Sequence, residues 1–355
     1  MKVLSKNRFF FGPSRFCGKD RTQFLKLLGV ATFAGLLTLS AGAGQAKAGS
    51  QKGYLAKPAV QRFIDKMVTQ HGFDRAKLDA LFAGARYRQS IIDSMNRPAE
   101  SLPWYRYRNI FLTPKRSVGG VDFQRAHAKT LARAEKVYGV PPAIVTAIIG
   151  VESYYGGNKG AYPVIDALAT LGFDYPPRAN FFRKELTQYL LLSREQHFDP
   201  AAVTGSYAGA MGAPQFISSS YRHYAVDFDG DGKSDLWHDW ADIIGSIANY
   251  FADNGWQRGA GIVVPAKLKA GAKGNVESMD TTTAATLRKA GFEFSNKVAD
   301  DASVTLVALD AQDGKRYWVA LHNFGVIMTY NHSPLYAMAV YQLSDAIKQG
   351  MNGTR

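Results

Sequence analysis

The chain has 355 residues, 46% of them apolar, and a formal net charge of +14. This length supports a large core and two or three subdomains, and the ordinary composition excludes a low-complexity chain. Residues 1–48 hold eight Lys/Arg and one acid, a net charge of +7, so the other +7 belongs to residues 49–355. A moderately basic protein suits a polyanionic partner, and charge alone does not distinguish nucleic acid, cell wall and membrane surface.

The first 48 residues have the pattern of an export signal. A basic stretch leads into an apolar run over 27–39 and then into small residues that end at Ala46-Lys47-Ala48. That ending fits the small-x-small cleavage rule, and the run is short for a transmembrane helix, so a cleaved signal is favoured over an uncleaved anchor. The sole cysteine, Cys17, precedes the apolar run, so we expect no lipobox. After cleavage the chain has no thiol for disulfides or for catalysis.

Helical periodicity dominates the chain up to residue 257. Residues 55–95 predict two helices, the second of them capped by Asp74. Further amphipathic helices are predicted over 121–138, 181–197 and 240–252. Residues 258–322 are rich in β-branched and aromatic residues and predict a small β-rich subdomain, after which 333–350 return to helix. We predict a mainly α, α+β protein, and find no internal repeat, phosphate-binding glycine loop or His-Glu-x-x-His metal site.

A single acid, Glu152, ends an otherwise apolar helical pattern. Pro141-Pro142 favours a helix start before it, and Gly156-Gly157 favours a helix end after it. Ile144, Ile148 and Glu152 recur at i, i+4 and i+8, which places the carboxyl on the inward face. One interpretation is a buried or rim glutamate held by an ion pair. The other is a carboxyl whose pKa is raised by partial removal from water, so that it donates a proton near neutral pH.

A second stretch, GSYAGAMGAPQFISSSY over residues 205–221, combines small residues with neutral polar ones. Its glycines and alanines leave the backbone accessible to a close ligand. Ser206 and Gln215 offer hydrogen-bonding groups, and Phe216 offers an apolar surface. This mixture suits a neutral, hydroxyl-rich substrate better than a phosphate. A tight turn between two helices is the alternative interpretation.

A third stretch, residues 227–239, has the carboxylate spacing of an EF-hand calcium loop. Acids fall at positions 1, 3, 5 and 9, Gly232 stands at position 6, and Lys233 would supply its carbonyl at position 7. At position 12 the expected Glu is replaced by His238, and Asp239 follows. Either the loop is one residue longer or its last ligand is lost. We predict a structural Ca²⁺ site, with a solvated acidic turn as the alternative.

Together these stretches resemble the membrane-bound lytic transglycosylase B family of bacterial cell-wall enzymes. The resemblance covers roughly residues 55–345 and rests on GVESYYGG, DALATLGFDYPPRANFF, GSYAGAMGAPQF, SSYRHYAVDFDGDGKSDLW, IGSIANYFADNGW and YNHSPLYAMAVYQL. It implies a lysozyme-like core with an EF-hand-like loop. The domain boundaries that we predict are 1–48 for the signal peptide, 49–138 for an N-terminal α domain, 139–257 for the catalytic core, 258–322 for the small β subdomain and 323–355 for a C-terminal segment that completes the cleft.

The resemblance also implies an activity and a set of site residues. The family cleaves the β-1,4 bond between N-acetylmuramic acid and N-acetylglucosamine in peptidoglycan without water, giving 1,6-anhydromuramyl products. The Glu of its G-V-E motif, here Glu152, acts as acid and then as base. The implied sugar contacts are Arg178, Ser206, Gln215, Tyr250, Tyr330, Asn331 and Tyr336. The implied calcium ligands are Asp227, Asp229, Asp231 and the Lys233 carbonyl, with Asp235 and Asp239 as further candidates, and no organic cofactor is expected.

Two alternatives use the same residues. One is a hydrolytic muramidase in which Glu152 acts with a positioned water, and the other is a non-catalytic peptidoglycan-binding scaffold. For a mechanism with two carboxylates, Asp166 is the nearest second acid in the sequence. Nucleic-acid binding is not favoured, because the basic residues form no clear stripe and the chain carries an export signal. We expect a soluble periplasmic monomer that binds glycan strands, with other cell-wall enzymes as candidate partners.

Overall fold

The computed structural model describes residues 53–353, so the predicted signal, its cleavage site and Cys17 lie outside the described residues. The helices of this part are α1 Pro58–His71, α2 Arg75–Gly84, α3 Gln89–Met95, α4 Trp104–Phe111, α5 Pro114–Ala126, α6 Ala128–Tyr138, α7 Pro142–Ser153, α8 Val164–Asp174, α9 Ala179–Glu195, α10 Ser218–Tyr224, α11 Trp240–Asp253, α12 Ala284–Lys289, α13 His322–Tyr330 and α14 Pro334–Asn352. The strands are β1 Tyr162–Pro163, β2 Thr204–Gly205, β3 Val263–Leu268, β4 Thr281–Thr283, β5 Phe292–Phe294, β6 Ser303–Ala311 and β7 Gly314–Ala320. Short 3₁₀ turns lie at Tyr54–Ala56, Ala99–Ser101 and Pro176–Arg178. The chain is therefore mainly helical, as predicted.

Helices α1 and α2 form a pair that packs on α8. Gly72 ends α1 in the left-handed conformation, with a φ of 65°. The Asp74 side chain caps α2 as predicted, accepting a hydrogen bond from a backbone amide in its first turn at 2.9 Å. Phe63 of α1 and Phe82 of α2 meet edge to face with ring centroids 5.8 Å apart, and both contact Phe173 of α8. Aromatic packing thus joins the first helices to the core.

The central element of the fold is α7. Every residue from Ile144 to Val151 is buried, and α5, α6, α11 and α14 pack around the helix. A helix that is apolar on all sides is stable only when it is enclosed in this way. By length and composition, no single helix within residues 53–353 could cross a membrane. Helices α6 and α7 taken together are long and apolar enough to do so, but the pair is bent by 113°. The enclosed helix ends at the acid that the sequence analysis singled out.

Three local predictions differ from the structure. The single helix predicted over 121–138 is two helices, because the chain breaks at His127, whose backbone leaves the helical region at φ −110° and ψ 20°. Helix α4 was not predicted. The β-rich segment predicted to extend to residue 322 ends with β7 at Ala320, and α13 begins at His322. At His127, packing against neighbouring elements outweighs the local preference for helix.

A five-stranded antiparallel sheet, in the order β4-β6-β7-β3-β5, forms the β subdomain. Its strands lie within the predicted segment 258–322. It has a small core of its own, formed by Ala266, Ala284, Leu287, Phe292, Val298, Val304, Leu306 and Val319. The rest of the described core is one continuous cluster that runs from α1 to α14.

Asp166 of α8, the second acid considered in the sequence analysis, is fully engaged in a structural ion pair. Its side chain is 5% exposed, and Oδ2 accepts from the Arg88 guanidinium at 2.8 Å. Oδ1 accepts from the Arg86 backbone amide at 2.8 Å. Asp166 therefore fastens the segment before α3 to α8, and it is not placed as a second catalytic acid.

Removing this carboxylate should destabilise the fold. We expect Asp166→Ala to lower the free energy of unfolding by about 3 kcal/mol, because a buried amide and a guanidinium lose their acceptor. The control is Asp65→Ala, which removes an exposed ion pair with Arg75 and should cost less than about 1 kcal/mol. Urea unfolding of the two variants measures the difference. Equal losses would contradict a structural role for Asp166.

Candidate active site

Glu152 lies at the end of α7, where the helix stops abruptly. Tyr154 and Tyr155 adopt left-handed backbone conformations, with φ of 52° and 58°, and Gly156 follows with φ of 82°. The Ser153 hydroxyl accepts a hydrogen bond from the Gly156 amide at 3.1 Å and stabilises this turn. The Glu152 side chain is half-buried. A rigid, enclosed helix therefore presents one carboxyl at its end, which is the precision that a catalytic group requires.

Tyr336 is a direct partner of this carboxyl. Its hydroxyl donates a hydrogen bond to Oε1 of Glu152 at 2.5 Å. Tyr336 lies in the first turn of α14, where the Ser333 hydroxyl caps the helix by accepting from the Tyr336 amide at 3.3 Å. Burial and then the charge of Glu152 raise the pKa of Tyr336 well above its ordinary value. The phenol therefore remains a neutral donor to the carboxyl.

An aromatic wall extends from this pair, formed by Tyr336, Tyr330, Tyr250 and Phe216. The ring of Tyr330 stacks on that of Tyr336 with a centroid distance of 6.5 Å and an interplanar angle of 10°. The rings of Tyr250 and Phe216 lie 4.8 Å and 5.8 Å from Tyr330. The Tyr330 hydroxyl donates to the Pro214 carbonyl at 2.6 Å, and burial raises its pKa above the ordinary range. Three of the predicted sugar contacts are thus brought together beside Glu152.

The glycine-rich stretch is a tight turn held by its own hydrogen bonds. The Ser206 hydroxyl accepts from the amides of Ala208 and Ala210 at 3.3 Å and 3.0 Å. Gly212 has a φ of 69°, and a Cβ there would lie 2.4 Å from the Leu236 carbonyl, so only glycine fits. The turn interpretation of the sequence is correct. A substrate role for Ser206 stays a prediction.

Gln215 is the strained residue of this turn. Its φ is 53°, a conformation that is uncommon for a residue with a side chain and that clusters at functional sites. Its Nε2 donates to the carbonyls of Gly212 and Lys159 at 2.8 Å and 3.1 Å. The side chain is therefore fixed between the end of the α7 turn and the glycine-rich stretch. It lies in the chain between Pro214 and Phe216, which contact Tyr330.

The two remaining predicted sugar contacts come from separate elements. Arg178 lies over the rings of Phe181 and Phe182, at 4.5 Å and 5.1 Å from their centroids, and burial lowers its pKa. Asn331 is buried directly after α13, and its Nδ2 donates to Oε1 of Glu100 at 3.3 Å. A place for Arg178 in the same site as Glu152 stays a prediction.

Tyr107 and Glu100 belong to the site, and the sequence analysis missed both. Burial, followed by the charges of Glu100 and Glu152, raises the pKa of Tyr107. Trp104, Tyr107 and Phe111 recur at i, i+3 and i+7 after a proline, so helical periodicity was a signal for α4. For Glu100 the sequence holds no local signal, because its partner Asn331 is 231 residues away.

The acidic loop brings three carboxylates together. Ligand oxygens of Asp227, Asp229 and Asp242 lie within 4.8 Å of one another. Asp242, the third residue of α11, was not predicted, because the EF-hand spacing rule ends at position 12 of the loop. A cluster of carboxylate oxygens at this spacing is the donor set that Ca²⁺ prefers, so the residues present fit that ion.

The remaining predicted ligands of this loop differ in placement. Asp235 is paired with His238, Oδ2 to Nδ1 at 3.1 Å, and Asp239 caps α11 by accepting from the Ala241 amide at 2.6 Å. A metal role for Asp235 and Asp239 stays a prediction, and Asp242 is a further candidate ligand. Oδ1 of Asp231 accepts from the Lys233 amide at 2.9 Å. A metal role for Asp231 and the Lys233 carbonyl stays a prediction.

Comparisons with known proteins agree with this architecture. Residues 56–345 match the transglycosylase SLT domain family. Membrane-bound lytic murein transglycosylase B of Escherichia coli (strain K12) is 42% identical over 301 residues, which are 82% of each chain. The structure of soluble lytic transglycosylase SltB1 from Pseudomonas aeruginosa has a TM-score of 0.78 and 48% identity, covering 83% of this chain and all of that one. Escherichia coli Slt35, solved in complex with calcium, has a TM-score of 0.78 and 42% identity, covering 84% of this chain and 95% of that one.

The mainly α core, the carboxyl at the end of its central helix and the aromatic wall beside it define a lysozyme-like class of protein. Within that class, the matched segment spans most of the described chain. The chain belongs to the transglycosylase SLT family.

Proposed function

We propose that this protein is a lytic murein transglycosylase that cleaves the MurNAc–GlcNAc bond of peptidoglycan with Glu152 as its acid and base. The observation that carries the proposal is the 2.5 Å hydrogen bond from Tyr336 to Glu152 at the end of a buried helix. A carboxyl fixed by a neutral phenol beside a wall of tyrosines suits a neutral sugar polymer. The relatives that are named as lytic transglycosylases match more than four-fifths of this chain.

The reaction balances without water. Glu152 protonates the glycosidic oxygen, the bond from C1 to that oxygen breaks, and the N-acetylglucosamine end departs with the proton. The muramyl 6-hydroxyl then attacks C1, the Glu152 carboxylate takes the hydroxyl proton, and a 1,6-anhydro ring closes. The enzyme returns to its starting protonation state. Most glycosidases need a second carboxylate as nucleophile or base, whereas here the substrate supplies the nucleophile.

The surrounding residues have supporting roles in this proposal. Tyr336 orients the Glu152 carboxyl, while Tyr250 and Tyr330 cover one side of the sugar and keep water out. Gln215, in its strained conformation, and Ser206 meet the polar edge of the sugar, and Arg178 and Asn331 extend the contact along the glycan. Pre-organised groups of this kind lower the barrier because they are not reoriented during the reaction.

Mass spectrometry of the soluble products decides between this reaction and its alternatives. Purified protein lacking residues 1–48 is incubated with peptidoglycan. Muropeptides that are lighter by one water than reducing-end products are expected. Reducing ends would instead indicate a hydrolytic muramidase, and glycan binding without soluble product would indicate a scaffold.

We also propose that the protein works in the periplasm. The support is the export signal at residues 1–48 and the position of its target, the cell wall. N-terminal sequencing of the exported protein should give a chain that begins at Gly49. A chain that keeps residues 27–39 would instead indicate an uncleaved membrane anchor.

The acidic loop is proposed to bind a structural Ca²⁺ through Asp227, Asp229 and Asp242. Slt35, solved with calcium, supports this ion. The ion would fasten the loop to α11 and would supply no chemistry to the sugar. We expect excess Ca²⁺ to raise the melting temperature by about 5 °C relative to a chelator, because an ion that binds only the folded state stabilises it.

Two variants identify the ligand that closes the loop. Asp242→Asn should abolish the calcium-dependent rise in melting temperature, whereas Asp235→Asn, which alters the pair with His238, should keep it. If Asp235→Asn abolished the rise and Asp242→Asn kept it, the ligand would be Asp235, as the EF-hand spacing predicts, and not Asp242. The absence of a calcium effect on the unmodified protein would remove the proposed ion.

A further inference from the structure

A second carboxyl, that of the half-buried Glu100, contacts the predicted sugar contact Asn331 and is not used by the mechanism above. It belongs to the 3₁₀ turn Ala99–Ser101 that precedes α4. Its Oε1 accepts the hydrogen bond from Asn331 at 3.3 Å. Its Oε2 is buried, and no hydrogen-bond partner for it is found among residues 53–353. Buried polar atoms are normally paired, so a carboxyl that is only half satisfied points to a functional role.

Two tyrosines respond to the charge of Glu100. The charge of Glu100 adds to burial in raising the pKa of both Tyr107 and Tyr207. Tyr107 also senses the charge of Glu152, so its phenol lies in the field of both carboxyls. Burial raises the pKa of Glu100 itself. The charges of Glu100 and Glu152 therefore both act on the Tyr107 phenol.

The contact with Asn331 connects Glu100 to the catalytic pair. Asn331 directly follows Tyr330, the last residue of α13, and its own backbone is extended. The ring of Tyr330 stacks on Tyr336, which donates to Glu152. The hydrogen bond from Asn331 to Glu100 therefore holds the C-terminal end of α13, from which the Tyr330 ring of the aromatic wall projects.

A carboxylate acceptor also determines which way an asparagine amide faces. The nitrogen of Asn331 must point to Oε1 of Glu100, so its carbonyl oxygen points to the opposite side. Glu100 thus selects one of two orientations of a predicted sugar contact.

The geometry does not favour Glu100 as a second catalytic carboxylate. Glycosidases with two carboxylates direct both of them at the scissile bond. In Glu100 one oxygen is directed at Asn331 and the other is covered by protein. The carboxyl therefore acts on a neighbouring side chain.

We propose that Glu100 is a positioning residue of the active site. It fixes the Asn331 amide in one orientation and thereby holds the end of α13, at Tyr330 and Asn331, against the pair formed by Tyr336 and Glu152. The proposal rests on the function proposed above and adds a determinant from a segment outside the predicted catalytic core. Its chemical role is to accept one hydrogen bond. An amide oxygen in its place can do the same.

A double-mutant cycle tests whether Glu100 acts through Asn331. We measure kcat and KM for anhydromuropeptide release by the unmodified protein and by Glu100→Ala, Glu100→Gln, Asn331→Ala and the double alanine variant. Glu100→Ala should lower kcat/KM about tenfold, and the same change in the Asn331→Ala background should have almost no effect, because contacting residues couple. Glu100→Gln keeps an acceptor oxygen and should recover most of the loss.

The control carboxylate is Glu185 of α9, which is buried and accepts from the Ser219 amide at 2.9 Å. Any effect of Glu185→Ala should be additive with Asn331→Ala. If Glu100→Ala fails to fold, Glu100→Met, which fills the volume without an acceptor, takes its place in the cycle. Melting temperatures establish that each variant is folded.

Three results would overturn the proposal. The first is an additive effect of Glu100→Ala and Asn331→Ala, and the second is unchanged kcat/KM in Glu100→Ala. The third is a loss in Glu100→Gln as large as that in Glu152→Gln, which would make Glu100 catalytic. If the unmodified protein releases no anhydro product, the proposed function fails instead, and the same cycle measured on the Kd for glycan chains still tests the coupling of Glu100 to Asn331.

Discussion

Glu152→Gln is expected to lower kcat for anhydromuropeptide release by at least about 10³-fold, because the amide can neither donate the proton to the glycosidic oxygen nor accept one from the 6-hydroxyl. The amide has the same shape as the carboxyl and can still accept a hydrogen bond from Tyr336. The variant should therefore fold normally and still bind glycan strands. Product release and melting temperature, measured on the same preparation, separate lost chemistry from lost folding.

The matched control for this experiment is Glu277→Gln, which makes the same chemical change at an exposed position of the β subdomain. Its turnover should equal that of the unmodified protein. Near-full turnover by Glu152→Gln would remove Glu152 from the proton transfers. Glu100 would then be the first other carboxyl to test.

The second large effect is expected from Tyr336→Phe. The change deletes the hydroxyl that donates to Glu152 at 2.5 Å and keeps the ring that stacks on Tyr330. A hydrogen bond to a charged group contributes about 1.5–3 kcal/mol, so we expect kcat to fall by about 10- to 100-fold with a smaller change in KM. Steady-state kinetics on soluble glycan chains measures both parameters.

Tyr189→Phe controls for the loss of a buried hydroxyl as such. The Tyr189 hydroxyl donates to the Pro200 carbonyl at 2.8 Å, and its loss should cost about 1 kcal/mol of stability without lowering kcat. If Tyr336→Phe retains full kcat, Tyr336 does not orient the general acid. Equal changes of kcat in the two variants would attribute the effect to stability.

Local patterns in the sequence predicted much of the fold. The stripe that ends at Glu152 and the cap at Asp74 correspond to α7 and α2, because they depend on residues within two or three turns. The differences between the predicted and the observed helices concern single short segments of the chain. The break at His127 depends on packing. Helix α4 has helical periodicity but only 8 residues, so it shows that pattern over little more than two turns.

The candidate site was only partly predictable because its contacts are distant along the chain. Glu152 and Tyr336 are 184 residues apart, and Glu100 and Asn331 are 231 residues apart. Neither pair follows from periodicity, and the resemblance to a family supplied Tyr336 but not Glu100. Asp242 was missed for another reason. It belongs to the helix after the loop, so a rule based on loop spacing does not reach it.

The wide separation of these partners has a consequence for the timing of activity. Helix α7, with Glu152, is made early, but Tyr336 lies on α14, the last helix of the described chain. A chain that is still being synthesised therefore contains Glu152 without the phenol of Tyr336 and without the stacked ring of Tyr330. The hydrogen bond between Tyr336 and Glu152 forms only after α14 has packed against α7. Under the proposed function, an incompletely synthesised chain would therefore lack activity on peptidoglycan.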